Sequence, residues 1–106
     1  MIDNYQLLKN AIVAQAAKDY MRALVNQHNV QRAKETDTTK IELEMIESYI
    51  VSLEKFFTEF RFAGFTTLDG RTLLADMRQH VIDCDYDLKE IFKKSYEEEF
   101  DQEEEL

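Results

Sequence analysis

The chain contains no proline, and glycine occurs only at Gly64 and Gly70. Sheet proteins with many turns draw on both residues to reverse the backbone between strands. A chain this short of them is left with long helices and few breaks. Its 106 residues suit one domain with a modest single core. With 44% hydrophobic and 33% charged residues there is enough apolar material for that core, which argues against disorder throughout.

The apolar positions follow helical periods. Tyr5, Leu8, Ile12, Ala16, Tyr20 and Leu24 step by three or four and draw one stripe down a first helix, which can run on to about Lys34 despite the weak formers Asn26 to Asn29. A break is expected at Glu35 to Thr38. Thr39 and Glu42 have capping-box spacing and mark the start of a second helix. Leu43, Ile46, Ile50, Leu53, Phe57 and Phe60 form its core stripe, and Met45, Tyr49 and Phe56 widen the apolar face beyond what one partner helix needs. That helix is expected to end near Phe62, with Gly64 left-handed after it. Asp69 is placed to cap a third helix beginning at Gly70, with Leu73, Leu74, Met77 and Val81 inward and Arg71 and Arg78 outward. Asp83, Asp85 and Asp87 break it or cap a fourth, in which Leu88, Ile91, Phe92 and Tyr96 are spaced for burial. The expected fold is all-α, a small bundle of three to four helices over residues 1–96, with an acidic tail over 97–106 whose seven acids repel one another and fray the end.

Acidity rises along the chain. Residues 1–40 carry six basic and four acidic side chains, residues 41–80 four and seven, and residues 81–106 three and eleven, for a net charge of −9. Such a surface repels free DNA and RNA, whose affinity for proteins comes largely from Lys and Arg on phosphates. A basic protein surface is the expected partner. No apolar run has the length of a membrane span and the N-terminus has no signal-peptide pattern, so the expectation is a cytoplasmic protein with no membrane contact. A single cysteine, Cys84, excludes an internal disulfide and suits a reducing compartment.

Few residues suggest chemistry. Asp83, Asp85 and Asp87 open like a calcium loop, but Leu88 stands where glycine is needed and Lys94 where the bidentate glutamate belongs. His28 and His80 lack the close His or Cys companions of zinc sites. His28 is expected on a polar helix surface, and His80 near a helix C-terminus, where an imidazolium interacts well with the dipole. Cys84 lies four residues after His80, the spacing of a thiol and base on one helix face, yet a structural cysteine is the commoner outcome. No glycine loop cradles a phosphate, and acid runs on exposed helices do not drive two carboxyl pKa values apart. The expectation is a protein without enzymatic activity, cofactor or metal. The dense aromatics Phe56, Phe57, Phe60, Phe62 and Phe65 suit either a closed core or a surface for a partner or second copy.

Two stretches carry a resemblance. Ala11-Ile12-Val13-Ala14-Gln15-Ala16-Ala17-Lys18-Asp19-Tyr20 matches a recurrent Ala-Ile-Val, Gln-Ala, Lys-Asp-Tyr pattern; Phe56-Phe57, Phe62, Thr66, Leu68-Asp69-Gly70 and Leu73-Leu74 match a second. Together they resemble a family of small proteins from phages and integrative elements of Gram-positive bacteria, over about a third of the chain. The chain departs from the pattern at Arg61, where the family has tryptophan, and in its longer acidic end. The resemblance implies a helical fold and a mobile-element origin, with no catalytic residues to carry over. Small acidic proteins of such elements are similar in character to anti-CRISPR proteins, several of which occupy the nucleic-acid groove of an RNA-guided nuclease. On that reading, carboxylates of Glu42, Glu44, Glu47, Glu54 and Glu59 on the second helix, and of Glu97, Glu98, Glu99 and Asp101 in the tail, meet a basic channel where phosphates otherwise lie. The alternative is a structural or accessory protein that forms a homo-oligomer through the aromatic cluster.

Overall fold

The computed structural model of the chain describes residues 4–59, 62, 64 and 69–92. Among these there is no strand, and four helices follow one another: α1 Asn4–Arg32, α2 Asp37–Thr58, α3 Gly70–Asp83 and the one-turn α4 Leu88–Ile91. This is the all-α bundle expected from the shortage of chain breakers. α1 continues through Asn26-Gln27-His28-Asn29 because packing overrides poor propensity there: Val25 is buried against Val81, and the His28 ring stacks on Tyr86 at 3.7 Å. His28 is thus a packing residue and not a polar surface one.

α1 and α2 run antiparallel, since Tyr20 meets Glu54 and Phe57 whereas Asn29 lies beside Glu42. The capping box at the start of α2 sits one turn earlier than the spacing suggested. Thr36 is the N-cap; the Thr39 amide donates to Thr36 Oγ1 at 3.2 Å and the Thr36 amide donates to Thr39 Oγ1 at 2.7 Å. A threonine hydroxyl does here what glutamate usually does, so Glu42 plays no part in the cap. α2 also stops at Thr58 and not at Phe62, leaving through Glu59 in extended conformation, and no described glycine has positive φ. Phe62 instead folds back and packs edge-on against Phe56 and Phe57, with ring centroids 5.7 and 5.4 Å away. The aromatic cluster is therefore core at Phe56, Phe57 and Phe62; Phe60 and Phe65 lie outside the described residues.

α3 starts as its sequence suggests, with the Asp69 carboxylate accepting from the Thr72 amide and hydroxyl. It lies across one face of the hairpin. Leu74 and Met77 join Tyr20, Ile50 and Phe57 in the main core, and Val81 joins Val25 and Ile91 in a smaller one. Each buried side chain of this size contributes roughly 1.5–3 kcal/mol. Leu8 and Ile12, expected in the core stripe of α1, are exposed. Because Glu54 is level with Tyr20, α2 ends about one turn further on, and the first turns of α1 extend past it.

The end of α3 is a Schellman motif built without glycine. The Tyr86 amide donates to the Val81 carbonyl at 3.0 Å and the Asp85 amide to that of Ile82 at 2.9 Å, with Asp85 and Tyr86 at φ 53° and 56°. Asp87 then caps α4 by accepting from the Lys89 amide. Ile91 takes the single inward direction that one helical turn offers, so Leu88 is exposed, contrary to its spacing. His80 does not merely face the helix dipole: its Nε2 donates to the Ile91 carbonyl at 2.9 Å and ties α4 to α3. Tyr96 and the acidic tail lie outside the described residues.

Candidate functional site

The nine carboxylates singled out from the sequence fall into different environments. Glu97, Glu98, Glu99 and Asp101 lie outside the described residues. Glu54 is not an outward acid. It accepts a hydrogen bond from the hydroxyl of fully buried Tyr20 at 2.8 Å and an ion-paired one from the Arg78 guanidinium, while Arg78 Nε donates to the same hydroxyl at 2.8 Å. Arg78, expected to point outward, reaches across and joins α3 to α1 and α2. Burial first, and then the bond to Glu54, push the Tyr20 phenol up to about 12, whereas the bonds to Glu54 and Tyr20 raise the guanidinium pKa further. The cluster has every buried polar atom satisfied and serves the fold.

The other four glutamates of α2 are exposed, yet they do not form one patch. At about 100° per residue, Glu42 and Glu44 lie on opposite sides of Met45, and Glu47 lies roughly 160° from it. Glu59 stands at the C-cap, roughly 21 Å beyond Met45 along the axis. Between Glu42 and Glu44 runs an apolar stripe of Ile41, Met45 and Tyr49, spaced i, i+4 and i+8, at 59%, 69% and 46% exposed.

This stripe borders a shallow trough between α1 and α2, on the hairpin face away from α3. At one end Asn26, Asn29 and Val30 face Glu42, Met45 and Ile46; at the other Asp19, Arg22 and Ala23 face Ile46 and Tyr49. The two halves share Asn26 and Ile46 and so form one continuous depression. Partial burial and the nearby Asp19 carboxylate raise the Tyr49 phenol above its usual value.

No family model, curated protein or solved structure matches the chain.

Cys84 Sγ is 3.9 Å from both ring nitrogens of His80, but Nε2 is already spent on Ile91. Burial, with Glu90, Asp83 and Asp87 nearby, pushes the thiol above its ordinary value, the reverse of what a nucleophile needs. The three aspartates of the calcium-like spacing have separate duties: Asp83 accepts from Gln79, Asp85 occupies the left-handed turn and Asp87 caps α4. Among the described residues no group of His, Cys, Asp or Glu is arranged to hold a metal, and no helix is long and apolar enough to cross a membrane. The sequence reading missed Asp19 and Arg22 as trough residues. The available signal was the excess width of the apolar face of α2 at Met45 and Tyr49, which calls for something polar and apolar beside it on α1.

Proposed function

We propose that the chain is a non-enzymatic acidic binding protein of a phage or mobile element that acts in the host cytoplasm. In this reading it blocks a nucleic-acid-binding defence nuclease by occupying the nuclease's basic groove. The observation that carries the reading is the pair Glu42 and Glu44 flanking exposed Ile41, Met45 and Tyr49 on a helix held at both ends. Carboxylates on a fixed helix meet lysines and arginines without the ordering cost of a loose segment, and the apolar stripe between them gives the contact area that charge alone lacks. The resemblance to mobile-element proteins is what directs the reading to a defence nuclease, whose duplex channel is positively charged.

The test is capture of RNA-guided nucleases, with and without guide RNA, by the wild-type chain, by E42Q/E44Q, and by a chain ending at residue 96. Retention at low salt, loss in E42Q/E44Q and survival of the truncation support the reading. Failure of every nuclease to bind overturns the partner; loss on truncation alone moves the contact to Glu97, Glu98, Glu99 and Asp101. For the self-assembly alternative, Phe57 and Phe62 are buried and Phe56 is partly buried against them, while Phe60 and Phe65 lie outside the described residues.

A further inference from the structure

A helix hairpin has two faces, and α3 covers only one of them. On the covered face Arg78 reaches Glu54 and Tyr20, and Val81 packs on Val25. On the other, Ile46 and Val30 floor a trough that no described residue fills, and Met45 and Tyr49 project beside it. From Asp19 to Val30 it spans roughly 16 Å, about three turns of helix. Its width, set by two helices packed side by side, is that of the groove into which a third helix fits.

We infer that this face binds an amphipathic helix of basic character, about three turns long, supplied by the partner. The inference rests on the binding role proposed above and names the element that would be recognised. Charge selects the occupant. Glu42 lines the trough and Asp19 closes the far end, against Arg22 as the one cation among the described lining residues. A second copy would bring another −9 to the interface and set carboxylate against carboxylate. A helix with leucine-like residues at i, i+3, i+4 and i+7 and lysines on its flanks satisfies both requirements: its apolar face covers Met45, Ile46 and Tyr49, and its cations reach Glu42 and Asp19.

The experiment is fluorescence anisotropy with the full chain and two labelled synthetic peptides of about fourteen residues. One is a leucine-and-lysine amphipathic helix; the other has every lysine replaced by glutamate. The chain variants are M45E, which acts on a largely exposed side chain and leaves the core untouched, and E42Q/E44Q. The lysine peptide is expected to bind and the glutamate peptide not to bind, with M45E weakening the lysine peptide about 10-fold or more. M45E adds a negative charge, so attraction by net charge alone would tighten binding, and an unchanged or tighter M45E complex overturns the trough. If E42Q/E44Q weakens binding while M45E does not, the carboxylate reading stands and the trough inference fails. No binding of the lysine peptide, or equal binding of both peptides, defeats the inference. A dimer in light scattering that M45E dissociates would replace the basic helix with a second copy.

Discussion

Replacing Gly70 with alanine should be the most damaging single-methyl change in this protein. A Cβ built on Gly70 stands 1.7 Å from the Phe57 carbonyl oxygen, 2.8 Å from its carbon and 3.1 Å from Phe62 Cδ1. The nearest of these falls roughly 1.7 Å short of ordinary contact, and the obstructing atom belongs to the backbone of α2, which no rotamer change can move aside. Relief requires the start of α3 to retreat from the last turns of α2, and Phe62 is wedged in that same joint. Overpacking of a tight site costs about 1–3 kcal/mol, and a backbone obstacle puts this one near the upper end. The better helix propensity of alanine returns up to about 1 kcal/mol. The expected net loss is about 2 kcal/mol, or roughly 8–16 °C in Tm for a domain of this size. Gly64 is the internal control: nothing lies within 4 Å of a Cβ there, so G64A should change stability by less than about 0.5 kcal/mol. Urea unfolding followed by far-UV circular dichroism measures both. A G70A chain as stable as wild type, or equal losses in the two variants, refutes the close approach of α2 and α3.

Y20F should cost about 1 kcal/mol by removing the hydroxyl that Arg78 and Glu54 share. The same phenol sets a pH dependence: its folded pKa of about 12 lies above the ordinary value of 10.0, so the folded chain keeps a proton that the unfolded chain releases. That stabilisation is complete below pH 10.0 and is lost toward pH 12. Urea midpoints between those limits should fall in wild type and fall less in Y20F; parallel declines would argue against the buried phenol as the cause. Cys84 should react with a thiol reagent at neutral pH more slowly in the folded chain than in the urea-unfolded chain, because burial and three nearby carboxylates raise its pKa. A faster folded reaction would revive cysteine chemistry. D85G should stabilise the chain by about 0.5 kcal/mol, since glycine takes the left-handed end of α3 without a Cβ penalty. A loss of stability on thermal melting would mean that the aspartate side chain supports the turn.

Much of the fold was legible because its signals are local. Asp69 and Asp87 cap helices wherever the chain goes, since the carboxylate meets amides two or three residues away. The errors came where local signals compete. Thr36 and Thr39 both satisfy the chemistry of an N-cap, and spacing to Glu42 favoured the wrong one. Gly64 looked like a left-handed terminator, but burying Phe62 against Phe56 and Phe57 requires an extended exit from α2. Tyr86 shows the reverse case: a large residue sits at φ 56° with its ring stacked on His28, and no pattern in the sequence announces it.

The candidate site was less legible, because a glutamate's period on a helix states which side it faces and not what it will meet there. By itself the sequence determined a helical chain, the break between α3 and α4, an acidic balance, and an apolar face on α2 too wide for one neighbour. Only the tertiary structure decided that α3 covers one side of the hairpin. That placement draws Glu54 into a cluster with Arg78 and Tyr20, and it leaves Glu42 and Met45 at one end of the trough and Tyr49 beside Asp19 at the other. The physical reason is distance along the chain. Arg78 stands 24 residues from Glu54 and 58 from Tyr20, beyond the reach of any local periodicity, and their meeting is set by which faces of three helices bury the most apolar surface together.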